Sequence, residues 1–164
     1  MSDPSLERQA SEYVAKSGGK LRETIGEGQD GKVWVSRKGT AIKAFERERN
    51  YITELECYQR LKKNSITKLN GFSIPGLIGY SNDLLVIEMD LVVPPYLLDF
   101  GKVHLDNPPD FSAEVWRDWQ VQREALFENH WPEVRKLISA LKRFGIHYLD
   151  AKPGNILFGD EQQD

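Results

Sequence analysis

Residues Tyr148–Phe158 read Y-L-D-A-K-P-G-N-I-L-F. The pair Pro153-Gly154 interrupts any regular element here, so the stretch is predicted to be a loop that leads into a short strand. In such a loop the side chains of Asp150, Lys152 and Asn155 can meet at one small polar spot. Phosphoryl transfer needs a carboxylate for a hydroxyl proton, a cation for phosphate charge and an amide oxygen for a metal ion. The alternative is a turn with solvated charges.

The same loop resembles the catalytic loop of the protein kinase family, H-R-D-L-K-x-x-N. The residues that match in register are Asp150, Lys152, Pro153 and Asn155. Tyr148 and Leu149 stand where the family has His and Arg. The resemblance implies a Ser/Thr-type phosphotransferase. In it Asp150 would orient or deprotonate the acceptor hydroxyl, Lys152 would neutralise the γ-phosphate of ATP, and Asn155 would bind Mg²⁺.

A glycine-rich segment lies near the start of the chain. Its glycines follow the spacing G-x-G-x-x-G and are Gly26, Gly28 and Gly31. This spacing lets a backbone approach a phosphate chain without an intervening Cβ. A Rossmann turn shares the spacing but opens a helix. Here the alternating, β-branched Val33–Val35 predicts a strand, and Lys38-Gly39 predicts a hairpin turn. Strand, glycine loop and strand is the kinase arrangement, whereas a plain hairpin turn with three glycines is the alternative.

Lys43 lies in the middle of Thr40–Phe45, T-A-I-K-A-F, which is predicted to be the returning strand. The segment resembles the kinase V-A-I-K, whose Lys contacts the α and β phosphates of ATP and a helix Glu. Residues 46–63 are predicted to form that helix. Its apolar stripe would consist of Tyr51, Leu55 and Tyr58. Glu54 lies within the stripe and is predicted to pair with Lys43, whereas Glu56 projects to the opposite side. The alternatives are a solvent-facing Lys43 and a Glu54 that reaches water.

The resemblance also implies an adenine pocket. Ile87, in the apolar run Leu84–Met89, would be the gatekeeper at the back of this pocket. Glu88 to Asp90 would be the hinge, whose backbone groups pair with adenine. The apolar walls would be Ile25, Val33, Ala41 and Leu157. Each of these aliphatic residues is equally consistent with an ordinary core position.

The C-terminal part departs from the kinase pattern. The D-F-G that binds metal in kinases follows the catalytic loop, whereas Asp99-Phe100-Gly101 precedes it and is not assigned that role. The layout resembles compact bacterial kinase-like proteins that end just after the catalytic loop. Asn155 would be one metal ligand. The second would come from Asp160 or Asp164 or from another chain, or it would be absent. The missing D-F-G favours the alternative of a non-catalytic pseudokinase that binds nucleotide or another protein.

Two helices are predicted in the C-terminal half. The first spans residues 112–129 with Ser112 as its N-cap, and the second spans residues 132–144. The second carries a continuous apolar stripe, formed by Val134, Leu137, Ile138 and Leu141. Because the connection between them is short, we expect the first helix to fold back on this stripe through Trp116 and Trp119, in a mainly monomeric protein. The alternative is that a partner or a second copy of the chain covers the stripe and also supplies the missing metal carboxylate.

Size and composition limit the class of protein. The chain has 164 residues, enough for one domain or at most two small lobes, and it is 40% hydrophobic and 29% charged. A net charge of −3 argues against a nucleic-acid or anionic-membrane partner. The single cysteine, Cys57, excludes an internal disulfide and a cysteine metal cluster. No apolar run reaches transmembrane length and no signal-peptide pattern is found, so a cytoplasmic location is expected.

These observations predict an α+β, protein kinase-like fold. It would combine an antiparallel N-lobe sheet of about five strands and one helix with a reduced helical C-lobe. The predicted divisions are a lead-in segment (1–19), the N-lobe (20–91) and the C-lobe (92–164). The expected cofactors are ATP and Mg²⁺. The phosphoacceptor is a protein or small molecule that the sequence does not identify.

Overall fold

The computed structural model describes residues 4–97 and 99–159. It has the predicted α+β class, with helices and mainly antiparallel strands. The chain forms two compact units. Within the described residues, unit 1 comprises residues 4–62 and 75–91, and unit 2 comprises residues 63–74, 92–97 and 99–159. Residues 63–74, which the sequence analysis placed in the first lobe, therefore group with the second unit, and the lead-in segment groups with the first.

Helices and short strands alternate irregularly along the chain. In chain order, the elements are α1 (Pro4–Ala15), β1 (Leu21–Glu27), β2 (Gly31–Ser36), β3 (Thr40–Phe45), α2 (Glu48–Lys63), β4 (Lys68–Leu69), β5 (Phe72–Ser73), β6 (Leu77–Ser81), β7 (Val86–Asp90), β8 (Tyr96–Leu97), β9 (His104–Leu105), α3 (Ala113–Phe127), α4 (Trp131–Lys142), β10 (Ile146–His147) and β11 (Ile156–Leu157). A short 3₁₀ helix, Glu128–His130, joins α3 to α4. Among the described helices, none combines the length and apolar character that crossing a bilayer requires.

Unit 1 is built on a five-stranded antiparallel sheet in the order β1-β2-β3-β7-β6. The strand predicted after the glycines is confirmed as β2, so the helix of a Rossmann turn is absent from this described segment. The predicted strand Thr40–Phe45 is also confirmed as β3. Gly39 has a positive φ of 83° in the turn between them, a conformation that glycine adopts without steric cost.

The register of this sheet assigns each side chain to one of two faces. Lys43 is aligned with Val33 on β2 and with Ile87 on β7, and Ala41 is aligned with Met89. Residues aligned across antiparallel strands project to the same face. These five side chains therefore share the face that carries Lys43.

Helix α1 covers the opposite face of the sheet. Its residues Leu6, Ala10 and Val14 recur at helical spacing and are buried. They pack with the sheet residues Trp34, Ile42, Ala44 and Val86. The Gln9 side-chain amide also donates to the Leu84 carbonyl oxygen at 2.6 Å. The lead-in segment therefore contributes a helix that packs on the sheet.

Helix α2 buries a stripe that includes all the residues predicted for it. The buried residues are Tyr51, Glu54, Leu55, Cys57, Tyr58 and Leu61. The Tyr51 ring meets that of Phe45 edge-on at 5.7 Å, and its hydroxyl donates to the Asn82 side chain at 2.8 Å. Burial raises the pKa of Tyr51 to about 12. The helix is thus fixed by packing along its length.

The thiol of Cys57 is expected to be inert in the native protein. The residue is 0% exposed, and burial raises the pKa of its thiol, so the reactive thiolate is scarce. A disulfide reagent should react ~100-fold or more slower than in denaturant, the factor that an opening free energy of ~3 kcal/mol gives. Absorbance of the released chromophore measures both rates in the same sample. Equal rates would contradict burial of this residue.

Unit 2 contains α3, α4 and two small sheets, in the orders β11-β8-β5-β4 and β10-β9. Both predicted helices are confirmed within a few residues at each end. The Val115 amide donates to the Ser112 hydroxyl at 3.2 Å, which is the predicted N-cap bond. The predicted stripe of α4 is buried along its whole length, as Val134, Leu137, Ile138 and Leu141.

Helix α3 covers α4 less than predicted. Trp119 meets Trp131, the first residue of α4, at 6.1 Å between ring centroids, but Phe127 alone is buried among the residues of α3. A cavity separates the Trp116 and Trp119 side chains from the part of α4 near Ile138. The fold-back of α3 on α4 is therefore confirmed where Trp119 meets Trp131, but near Ile138 the cavity lies between the helices and α3 packs instead against the loop around residue 150.

Candidate functional site

The predicted pair of Lys43 and Glu54 is present in unit 1. The Lys43 ammonium donates to Oε1 of Glu54 at 3.1 Å and to Oε2 at 2.9 Å. The side chains are only 7% and 2% exposed, and the ammonium also lies 4.8 Å from the centre of the Phe45 ring. Glu56 instead bonds Arg60 at 3.0 Å, with 42% of its side chain exposed. The prediction that Glu54 faces inward and Glu56 outward is confirmed.

The glycine-rich turn has one open glycine and one packed glycine. The Gly28 amide donates to the Gly31 carbonyl oxygen at 3.0 Å, which closes the turn between β1 and β2. A Cβ at Gly31 would overlap the Ala44 carbonyl oxygen, so the sheet itself requires glycine there. A Cβ at Gly28 would meet nothing within 4 Å, and one at Gly26 would make only ordinary contact with Val33. Backbone approach by a ligand is therefore sterically open at Gly28.

The turn is also tied to the start of α2. The Asn50 side-chain amide donates to the Asp30 carboxylate at 2.9 Å, and the Glu46 amide donates to the Asp30 carbonyl oxygen at 3.2 Å. Asp30 occupies the fifth position of the G-x-G-x-x-G segment. These bonds hold the glycine turn in a defined place next to the helix that carries Glu54. No periodic signal in the sequence indicates them.

The residues predicted to line an adenine pocket in unit 1 differ in exposure. Ile87 is fully buried and Ala41 nearly so, Val33 is partly buried, and Ile25 is 50% exposed on β1. Met89 also lies on the Lys43 face, aligned with Ala41 and 4% exposed. Met89 was predicted only as part of the hinge and not as a wall of the pocket, although its distance of two residues from Ile87 on a strand places it on the same face.

The predicted hinge residues are part of the sheet. Glu88 is aligned with Ile42 on one side and Gly79 on the other, and the Asp90 amide donates to the Gly76 carbonyl oxygen at 2.9 Å. The backbone of β7 therefore bonds its neighbours at these positions rather than being open to a ligand. This differs from the predicted hinge, since a hinge needs backbone groups that the sheet leaves unbonded.

The Glu88 side chain has a structural role instead. Tyr13 of α1 donates its hydroxyl to Oε1 of Glu88 at 3.0 Å, and Thr40 donates to Oε2 at 2.6 Å. Burial, together with the bond to this carboxylate, raises the pKa of Tyr13. Glu88 thus joins α1, β3 and β7 on the face opposite Lys43.

In unit 2, the predicted loop brings Asp150, Lys152 and Asn155 together. The Asn155 side-chain amide donates to the Asp150 carbonyl oxygen at 3.2 Å, and its backbone amide donates to the Lys152 carbonyl oxygen at 2.9 Å. The Lys152 ammonium lies 3.6 Å from the Asp150 carboxylate. Asn155 is 7% exposed, whereas the Asp150 and Lys152 side chains are 24% and 52% exposed. The buried amide therefore fixes the loop while the two charged groups reach solvent.

Helix α3 holds the loop on both sides of Asp150. The Trp119 indole N–H donates to the Leu149 carbonyl oxygen at 2.9 Å, and Arg123 donates to the Ala151 carbonyl oxygen at 2.6 Å. The two donors are one helical turn apart, so they reach the loop from the same face of α3. Neither contact was predicted, because the residues next to Trp119 and Arg123 in the sequence give no sign of a partner about thirty positions away.

The remaining candidate residues are Leu157 and the two aspartates considered as second metal ligands, and Asp99 belongs to the D-F-G that was not assigned a role. Leu157 lies in β11 and is aligned with Tyr96 of β8. The Asp99 carboxylate accepts a bond from the Gly101 amide at 2.7 Å in a local turn. Asp160 and Asp164, the candidates for a second metal ligand, lie outside the described residues. Within residues 4–97 and 99–159, no group of three or more His, Cys, Asp or Glu is arranged to hold a metal ion.

Comparison with known proteins gave no match to a family model, to a curated protein or to a solved structure. The function is therefore inferred from the geometry of the chain itself.

Proposed function

We propose that this chain is a protein kinase-like phosphotransferase, which binds ATP with Mg²⁺ and transfers the γ-phosphoryl group to a Ser/Thr hydroxyl. The observation that carries the proposal is the buried pair of Lys43 and Glu54, directly after a glycine hairpin. A buried ammonium is held in a fixed position by two charge-assisted hydrogen bonds to one carboxylate. Such a cation is suited to bind phosphate oxygens that approach from the glycine turn.

Unit 1 would supply phosphate binding. The turn at Gly28 is open to a phosphate chain, and its fixed position next to α2 supports a preorganised site. The partly buried Val33 and the buried Ala41, Ile87 and Met89 share the face that carries Lys43, and adenine would pack against this apolar side of the sheet. The proposal includes a kinase-like arrangement of this five-stranded sheet with α2.

Unit 2 would supply the groups that act on the acceptor. Asp150, partly exposed, can accept the proton of a hydroxyl or orient it. Lys152 can neutralise charge on the transferred group, and its 52% exposure leaves the ammonium able to move toward it. Because the Asn155 NH₂ group bonds the Asp150 carbonyl oxygen, the other amide atom, Oδ1, is the one available to a cation.

The donor set fits a magnesium ion that arrives with ATP. Mg²⁺ accepts oxygen ligands and is usually bound through one or two protein groups together with substrate phosphates and water. Asn155 offers one such oxygen, and the described residues contain no larger cluster of acidic ligands. When bound, the ion would neutralise phosphate charge. The residues of this chain would position the acceptor and the loop.

The second candidate is a non-catalytic module that binds nucleotide or a partner protein. The observation that favours it is the position of Asp99-Phe100-Gly101, which precedes the loop and in which the Asp99 carboxylate accepts a bond from the Gly101 amide. A nucleotide-binding module would share Lys43 and the glycine turn with the phosphotransferase, so these two predict the same ATP affinity and differ only in turnover. A Rossmann-type dinucleotide site is disfavoured by β2. The proposal includes a cytoplasmic location, where ATP is available. It also includes a monomeric protein.

We expect ATP to bind with an affinity between about micromolar and millimolar, roughly −8 to −4 kcal/mol. Lys43→Ala should weaken binding by about 10-fold or more, because a charge-assisted bond to phosphate contributes ~1.5–3 kcal/mol. Isothermal calorimetry with ATP and Mg²⁺ measures both affinities. Lys38→Ala is the matched control, since Lys38 is exposed in the turn between β2 and β3. Absence of binding to the wild-type protein, with and without Mg²⁺, would refute the phosphotransferase and the nucleotide-binding module and leave only a module that binds a partner protein.

A further inference from the structure

A cavity of about 490 Å³ lies within unit 2, between α3, α4 and the segment that precedes Asp150. Its walls include three tryptophans, Trp116, Trp119 and Trp131. This volume is within the range of about 300–1,000 Å³ that is typical of small-molecule sites. It uses none of the residues to which phosphoryl transfer is assigned.

The tryptophans form a continuous aromatic wall. Trp116 meets Trp119 at 6.0 Å with an interplanar angle of 83°, and Trp119 meets Trp131 at 6.1 Å and 70°. The Trp119 ring is fixed further by its bond to the Leu149 carbonyl oxygen. Three rings held edge to face give a rigid apolar surface, on which another flat ring can pack at little cost in side-chain entropy.

Helix α4 also gives the cavity positive charge. Arg135 and Lys142 line the cavity from α4, seven residues and therefore two helical turns apart. His147 also lines it, and its buried Nδ1 has no hydrogen-bond partner among the described residues. None of the described residues lining the cavity is Asp or Glu. An anionic group in this cavity would therefore meet two cations and no repelling carboxylate.

We propose that this cavity binds a small aromatic carboxylate. The ring would pack on Trp116, Trp119 and Trp131, and the carboxylate would bind Arg135 and Lys142. The arginine guanidinium suits this group because its planar N–H donors match both carboxylate oxygens. A neutral aromatic compound would pack on the same tryptophans but would not form ion pairs with Arg135 and Lys142. The proposal is independent of the proposed phosphotransferase function.

The test uses two probes of equal shape, 2-naphthoate and its neutral amide 2-naphthamide. The chain has four tryptophans, and the fourth, Trp34, lies in unit 1 and is 3% exposed. In a ¹⁵N-labelled sample, 2-naphthoate should shift the indole N–H resonances of Trp116, Trp119 and Trp131 and leave that of Trp34 unchanged. By titration it should bind about 10-fold more tightly than 2-naphthamide, the factor given by ~1.4 kcal/mol.

A charge-removal variant tests the role of the cations. Arg135→Gln with Lys142→Gln should weaken 2-naphthoate binding about 10-fold and leave 2-naphthamide unchanged, since both residues are exposed and the apolar stripe of α4 is intact. Lys136→Gln is the control, as it removes a neighbouring exposed charge that does not line the cavity. In the unliganded variants, indole N–H resonances of Trp116, Trp119 and Trp131 that keep their dispersion show that unit 2 is folded. Equal affinity for the two probes, unaltered binding in the double variant, or no binding at millimolar concentration would each overturn the proposal.

Discussion

Replacing Glu54 with alanine is expected to lower the free energy of unfolding by about 3–5 kcal/mol. The substitution removes the carboxylate that accepts two hydrogen bonds from the Lys43 ammonium. The Lys43 side chain is only 7% exposed to water. A buried charge that loses its counterion retains its desolvation penalty, which is the main source of the loss. Urea unfolding with linear extrapolation gives the free energies.

Glu56→Ala is the matched control, on the same helix and two residues away. Its side chain is 42% exposed and pairs with Arg60 across one helical turn, so the loss should be about 0.5 kcal/mol or less. Glu54→Gln adds a third comparison, because it keeps the volume and one acceptor but removes the charge. Equal losses in Glu54→Ala and Glu56→Ala would show that the ion pair is not buried in solution.

Asp150→Asn is expected to lower the rate of phosphoryl transfer by about 10²–10⁴-fold, which is the usual contribution of a positioned acid or base. The substitution should leave the loop intact, because Asn155 bonds the backbone carbonyl of residue 150 and not its carboxylate. ATP affinity should change little, since Lys43 and the glycine turn are untouched. Transfer of the terminal phosphate to the protein itself or to a mixture of Ser/Thr peptides measures the rate.

Asp118→Asn provides the control for that experiment. Asp118 is an exposed residue of α3, so the same chemical change there should not alter transfer. Equal rates in the wild-type protein and Asp150→Asn would contradict the role of Asp150. Nucleotide binding with no transfer in either protein would support the non-catalytic module instead.

Local patterns predicted most of the elements correctly. The alternation in Thr40–Phe45 and the apolar stripe of α4 are set by side chains a few residues apart, so the sequence reports them directly. The placement of residues 63–74 was missed because their two-residue strands β4 and β5 gain their sheet from β8 and β11, far along the chain. Such strand pairing depends on contacts between residues that are far apart in the sequence, so a short stretch of sequence does not indicate it.

The site shows the same division between local and distant information. Glu54 and Glu56 could be assigned to opposite faces of α2 because the helical period fixes their angle. The contacts from Trp119 and Arg123 to the loop could not be predicted in this way, since each joins a helix to a backbone carbonyl about thirty residues away. Burial of α3 was overestimated for the same reason. Its aromatic residues are consistent with a core face, but only the packed structure shows that Phe127 alone is buried.

The weak burial of α3 has a consequence for the rate at which the loop exchanges its amide hydrogens with water. Helices with few buried contacts open locally at a free energy well below that of global unfolding. When α3 opens, the carbonyl groups on either side of Asp150 lose the donors of Trp119 and Arg123 at the same moment. We therefore expect the amides of α3 and of the loop to show one common opening free energy, lower than that of the α4 amides, so that helix and loop form a single cooperative unit of unfolding.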